Sequence, residues 1–201
     1  MNTNLLKIEI VDFSKKYRSK NIYKNFNYVI DNEKINILKS PNGYGKSTLI
    51  KAILNIINYR GKIKTDIKTY SYLPERIQVP AYIKVDRFLS LMEIPKDKYL
   101  PLLKLFNVPV DKNLVELSKG MRQKVLIVNA FLSDADCYIF DEPLNGLDDY
   151  SCELFTTLIQ DLFYQHKLII ISTHQIDKFK HLEKDLKIIK LEEINVINEI
   201  S

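Results

Sequence analysis

The run SPNGYGKST, residues 40–48, sets two glycines, a lysine and two hydroxyl residues at the head of an apolar, helix-patterned stretch. These residue types are suited to holding a phosphate. A helix N-terminus offers an anion unpaired backbone N–H groups and a partial positive charge. Gly43 and Gly45 let the backbone wrap closely, Lys46 can reach the outer phosphates, and Ser47 can ligate Mg²⁺. Against the pattern G-x-x-x-x-G-K-[ST] there is one mismatch, since Ser40 stands where the first glycine belongs. Glycine is obligatory there only if φ is positive or a ligand touches the Cα.

A second constellation lies in CYIFDEPLNGLD, residues 137–148, where an apolar run ends in Asp141 and Glu142. At a strand end in an α/β sheet, such carboxylates face the ligand crevice. Asp141 would hold Mg²⁺ through water, and Glu142 would polarise the water that attacks a γ-phosphate. The plain alternative is an acidic turn after a strand, which the upstream phosphate loop disfavours. His174 closes another apolar run, IIISTHQ, and could contact the γ-phosphate, although a lone histidine there is more often structural.

These groups need strands and helices to converge. LLKIEIVDF alternates, and FNYVI and KINILK are short β-rich runs. After Lys46 the apolar residues Leu49, Ile50, Ile53, Leu54 and Ile57 recur at helical spacing. TYSYLP predicts one strand, ended by Pro74. Residues 80–117 carry short helical patterns punctuated by Pro80, Pro95, Pro101 and Pro109, which predicts a small helical insert. A helix over about Lys119–Leu132, the strand CYIF, a helix over about Tyr150–Gln165, the strand KLIIIS and two short terminal strands follow. CYIF and KLIIIS are apolar throughout, as in a parallel sheet covered on both faces. The expectation is an α/β chain with a mostly parallel core sheet. It forms one domain over 1–201, with 1–79 and 118–201 as core and about 80–117 as insert.

With 201 residues, 46% of them hydrophobic, the chain can bury a sizeable core. The net charge of +5 is scattered, and KKYRSK at 15–20 reads better as a solvated loop than as a nucleic-acid patch, so no nucleic-acid partner is expected. Cys137 and Cys152 lack metal-ligand spacing and read as idle thiols in a reducing compartment. No signal peptide and no apolar run of about 18 residues is visible, which points to a soluble, cytosolic chain.

LSKGMRQK, residues 117–124, opens the predicted helix before Asp141. It resembles the signature of ATP-binding-cassette (ABC) ATPases, usually LSGGQ. With SPNGYGKST, FDEPLNGLD and STHQ in the same order and similar spacing, the chain resembles the nucleotide-binding subunit of an ABC transporter over nearly its whole length.

That resemblance implies a P-loop NTPase fold with an N-terminal antiparallel β subdomain, and ATP and Mg²⁺ as cofactors. It implies that Tyr17 stacks on adenine. Asn42, Gly43, Tyr44, Gly45, Lys46, Ser47 and Thr48 match the phosphate loop, with Ser40 at its entrance. Lys46, Glu142 and His174 match the catalytic lysine, base and switch histidine, and Asp141 the Mg²⁺-associated aspartate. Ser118 and Gly120 match residues that touch the γ-phosphate held by the other subunit, and Asp148 one that bridges subunits. In this family one chain's loop and signature do not meet. The resemblance therefore implies a head-to-tail partner, either a copy or a relative, and separate membrane-spanning permease subunits at the inner face of the cell membrane.

Three departures stand out: Ser40, the pair Lys119 and Met121 in the signature, and Glu75 where the family usually has glutamine. A carboxylate at 75 could ligate Mg²⁺ while adding negative charge near Glu142; the bland alternative is a solvated loop acid. YLPE together with LSKGM looks most like subunits of small exporters of drugs, antibiotics or peptides. The rival functions are a non-transport cassette acting on ribosomes or nucleic acid, and a nucleotide-binding scaffold without turnover.

Overall fold

The computed structural model describes residues 5–76 and 79–193. Two strands open the chain, β1 (Lys7–Tyr17) and β2 (Lys20–Asp31), followed by β3 (Ile35–Lys39) and α1 (Lys46–Ile53). Next come β4 (Arg60–Thr65), β5 (Tyr70–Leu73), α2 (Val85–Leu91), α3 (Lys96–Leu105) and a 3₁₀ turn, Leu114–Glu116. The last third holds α4 (Lys119–Leu132), β6 (Cys137–Asp141), α5 (Asp149–Tyr164), β7 (Leu168–Ser172), a 3₁₀ run (Ile176–Asp185) and β8 (Leu186–Lys190).

A five-stranded sheet in the order β5-β6-β7-β3-β8 forms the centre, and every pairing in it is parallel. Its strands alternate between two cores, as the period of two requires. Cys137 and Ile139 of β6 face a cluster with Leu49 and Ile53 of α1 and Ile8 and Phe26 of the β1–β2 hairpin. Tyr138 and Phe140 face the other cluster, with α4, α5 and the insert. Phe155 anchors that second core, with ring centroids 5.2 Å from Phe140 and 5.4 Å from Phe131. Truncating such a ring to alanine costs about 3–5 kcal/mol.

The antiparallel sheet β2-β1-β4 lies against α1. Here the structure corrects the single strand expected ahead of Pro74. β4 joins β1 in the antiparallel sheet and β5 joins β6 in the parallel one, with Ile67 buried in the link between them. β4 is RGKIKT, exposed except at Ile63, so it forms through backbone pairing with β1 and leaves no apolar alternation to read. Within 80–117, Pro101 lies inside α3. One terminal strand is present as β8. The second falls on 194–201, outside the described residues. Among the described residues no helix is long and apolar enough to cross a membrane.

Parallel pairing sends the C-terminal ends of β3, β6 and β7 to one edge. Those ends carry the phosphate loop, Asp141–Glu142 and His174.

Candidate functional site

A cleft of about 680 Å³ opens at that edge. Its walls include Tyr17, Asn42, Gly43, Gly45, Lys46, Ser47, Thr48, Glu75, Asp141, Glu142 and His174. Sequence separations of more than 100 residues are thus closed by the sheet order alone.

The loop between β3 and α1 is held from behind. Gly45 takes φ of +100°, and a Cβ there would meet Ile22 and Tyr23 side chains at 2.6 Å. The Tyr23 hydroxyl donates to the Gly45 carbonyl at 3.0 Å. The Tyr23 ring is buried, which pushes its hydroxyl well above the ordinary tyrosine range and keeps it a donor. Ser40 does not take a positive φ, and its side chain is buried with Oγ 3.4 Å from the Pro41 carbonyl. Its backbone therefore does not meet the first condition that would demand glycine, a positive φ. Tyr44 is half exposed and lies outside the cleft lining.

Lys46 is buried and donates to the Ser40 carbonyl at 2.9 Å. Its Nζ lies 3.5 Å from Glu142 Oε1 and 2.8 Å from His174 Nε2. His174 Nε2 is also 3.0 Å from Asn42 Oδ1 and 3.2 Å from Glu142 Oε1. One ring nitrogen cannot accept from Lys46 and donate to Asn42 at once, so the tautomer selects between them. These four side chains close on the space that an outer phosphate would fill.

Glu142 has φ of +50°, a left-handed conformation that costs a non-glycine residue about 1–3 kcal/mol. The bend carries its side chain out of the line of β6 and into the cleft. Glu142 Oε1 is buried without a hydrogen-bond partner; its contacts to Lys46 and His174 are ion-pair approaches only. Asp141 is buried and accepts a hydrogen bond from the Ser172 hydroxyl through Oδ1. Among the described residues no three carboxylates, cysteines or histidines gather as a metal cage. Mg²⁺ commonly uses one or two carboxylates together with substrate phosphates and water. A hydroxyl at Ser47, a buried carboxylate at Asp141 and the orphaned Glu142 oxygen fit that manner of binding.

Glu75, Arg76 and Asn145 form a wall common to this cleft and to a second groove of about 500 Å³, which also touches Lys119, Arg122 and Gln123 of α4. Arg76 and Asn145 were missed from sequence, because a charged residue in a loop and an amide in a turn carry no periodic signal. Tyr72 on β5 reports the local field. Its hydroxyl is pushed up to about 12, first by burial and then by the negative charges of Asp141 and Glu75.

Tyr17 ends β1 with its ring 46% exposed at the cleft mouth, and the Lys15 ammonium lies 4.9 Å from the ring centre. KKYRSK is therefore the end of β1 and its turn, with Lys15 tied to the Asn58 carbonyl.

Ser118 and Gly120 lie outside the cleft lining. The Ser118 hydroxyl caps α4 by accepting from the Met121 N–H at 3.1 Å. A Cβ on Gly120 would stand 2.5 Å from the Gly146 carbonyl oxygen, so glycine is what lets α4 meet the loop after Glu142. Asp148 also lies outside the cleft. Within the chain it caps α5 through the Ser151 N–H at 2.8 Å and pairs with Lys124 at 2.7 Å.

Comparison with known proteins places this geometry in context. A family model described as "ABC transporter" matches residues 23–145. An uncharacterized ABC transporter ATP-binding protein of Methanocaldococcus jannaschii is 32% identical over 196 residues, covering 92% of this chain and 74% of its own. The zinc transport system ATP-binding protein AdcC of Streptococcus pneumoniae is 29% identical, covering 86% and 85%. The lantibiotic transport ATP-binding protein SrtF of Streptococcus pyogenes is 26% identical, covering 87% and 83%. A solved ATP-binding subunit of an ABC transporter superposes with a TM-score of 0.78 at 27% identity, over 92% of this chain and 86% of that one.

Proposed function

The chain belongs to the ABC transporter ATP-binding family, whose members hydrolyse ATP, and from that premise we propose that it drives transport through separate membrane-spanning subunits. In this reading Tyr17 stacks on adenine and residues 42–48 wrap the phosphates. Lys46 and His174 contact the γ-phosphate, and Glu142 polarises the attacking water. Ser47 would hold Mg²⁺ together with the nucleotide, Asp141 would act on it through water and Glu75 would be a further ligand; when bound, the ion would neutralise developing phosphate charge. The core, 1–79 and 118–201, would carry the nucleotide, and the insert, about 80–117, would meet the membrane partner.

The observation that carries the reading is the convergence of Lys46, Glu142 and His174, from the ends of three parallel strands, within 3.5 Å of one another. Ser118 and Gly120 fall outside the cleft they would complete. This supports a reading in which a second cassette, a copy or a relative, brings its own signature to this ATP. MgATP would close the head-to-tail pair, and hydrolysis would reopen it at the inner face of the membrane.

An exporter of a drug, antibiotic or peptide is the cargo class we favour, on YLPE and LSKGM and the likeness to a lantibiotic transport subunit. Likeness to a zinc transport subunit marks the competing class. The test is ATP turnover by the wild type and its loss in Glu142→Gln, together with MgATP-dependent dimerisation of that variant in size-exclusion chromatography. A Glu142→Gln chain that stays monomeric in saturating MgATP, with no other subunit required, would sink the dimer. Co-purification with a hydrophobic membrane chain separates a transporter from a ribosome-acting cassette.

A further inference from the structure

Ser172 is the last residue of β7, fully buried, and directly opposite Asp141 in the parallel register of β6 and β7. Its hydroxyl donates its one hydrogen to Asp141 Oδ1. Ser172 Oγ in turn accepts the Glu142 N–H at 3.0 Å, and the Ser172 carbonyl accepts that N–H as well at 3.0 Å. One hydroxyl thus grips both members of the carboxylate pair, one by its side chain and the other by its backbone.

Each bond has a distinct consequence. The hydrogen given to Asp141 holds its carboxylate in place at the cleft wall, which Asp141 helps to line. The N–H taken from Glu142 sits at the residue whose φ is +50°, where the backbone leaves the strand and swings the side chain toward Lys46 and His174. A left-handed non-glycine residue persists only where its surroundings over-determine it. Two acceptors on one N–H do so here. An alanine at 172 would keep the carbonyl acceptor and lose the hydroxyl, loosening Glu142 and leaving a buried carboxylate oxygen short of its donor.

We propose that Ser172 is a positioning residue for the hydrolytic step: its hydroxyl sets the Asp141 carboxylate for Mg²⁺ and holds the turn that aims Glu142. The inference rests on the hydrolytic reading of the cleft. It concerns a residue that does not line the cleft and that would act only through its neighbours.

Ser172→Ala and Ser172→Thr are compared with the wild type in three measurements. These are steady-state ATP turnover, equilibrium binding of ATP in EDTA and in Mg²⁺, and thermal melting. Loss of an outer support of this kind lowers activity or metal affinity roughly 10- to 100-fold. In Ser172→Ala, kcat should fall by that order, while KM for MgATP should rise by no more than the loss of Mg²⁺-dependent ATP affinity, so that kcat carries the larger share. The gain in ATP affinity on adding Mg²⁺ should shrink, and binding in EDTA should not. Ser172→Thr, which keeps the hydroxyl, should recover most of both losses. Wild-type kcat in Ser172→Ala overturns the proposal. So does an equal loss in both variants tracking their melting points, since that pattern marks packing alone. Wild-type turnover abolished by Glu142→Gln, run in parallel, tests the hydrolytic reading separately.

Discussion

Lys124 and Asp148 stand 2.7 Å apart and join the middle of α4 to the first residue before α5. Lys124 is buried along its stem while Asp148 is exposed, so the lysine reaches outward to a carboxylate that already caps a helix. α4 begins with Ser118, and Asp148 closes the loop that follows Glu142. The pair therefore ties α4 to the loop that follows Asp141 and Glu142.

Acid should reveal this coupling. The Lys124 ammonium first, then the Ser151 hydroxyl and N–H, hold the Asp148 carboxyl well below the usual range. A carboxylate with a depressed folded-state pKa adds stability above its unfolded value of about 3.9 and loses it as pH falls through the folded value. Asp148→Ala should lose roughly 1 kcal/mol near pH 7, the usual worth of such a cap. The gap from wild type should narrow on acidification below about pH 4. Urea unfolding at pH 7, 4 and 2 checks this, and a gap that stays constant down to the lowest pH would show that the ion pair contributes nothing.

Gly120 gives a sharper structural test. Alanine there puts a methyl 2.5 Å from the Gly146 carbonyl oxygen, a backbone atom that cannot swing aside. Overpacking of this kind typically costs about 1–3 kcal/mol. Since Gly120 lies outside the cleft, a Gly120→Ala monomer should bind nucleotide normally yet fail to hydrolyse it or to dimerise. Calorimetric nucleotide binding beside an ATPase assay separates the two effects, and unaltered turnover would mean that the signature does not meet a partner's ATP.

How much of this was readable beforehand depends on what each residue does alone. Lys46, Ser47, Asp141, Glu142 and His174 stood out because strand-then-loop-then-helix placement makes their types improbable otherwise. Cys137–Asp141 and Leu168–Ser172 were legible as buried strands from unbroken apolar runs. Ser172 was not. Embedded in KLIIIS it looks like a strand-ending serine, and its role exists only through the register with Asp141. β4 was equally hidden, because its charged residues face solvent and only pairing with β1 makes it a strand. The 3₁₀ run Ile176–Asp185 has Phe179 and Leu182 buried three apart, too sparse a signal to separate from a loop.

Tyr17 can be tested apart from the fold. Its ring is 46% exposed, so truncation removes little core packing. Stacking of a base on an aromatic ring is worth about 1–3 kcal/mol, and about 1.4 kcal/mol is tenfold in affinity. Tyr17→Ala should weaken ATP binding roughly tenfold or more with the melting point unchanged, and Tyr17→Trp should preserve affinity. Equal affinity in the alanine variant would return Tyr17 to an edge of the β1–β2 hairpin.

Glu75 is where charge should matter most. It is exposed on the wall shared by the two clefts, and its negative charge is felt at Tyr72 together with that of Asp141. If it ligates Mg²⁺ as proposed, Glu75→Ala should raise the Mg²⁺ concentration needed for half-maximal ATPase, while Glu75→Gln, which keeps a carbonyl oxygen, should move it less. Arg76 carries the opposite charge on the same wall, so Arg76→Ala should leave that wall more negative and lower the Mg²⁺ concentration needed for half-maximal ATPase. Mg²⁺ titrations of ATPase activity in the three variants decide the matter. Superimposable curves for wild type and Glu75→Ala would make Glu75 a solvated loop acid and leave Ser47 and Asp141 as the proposed protein contacts of the ion.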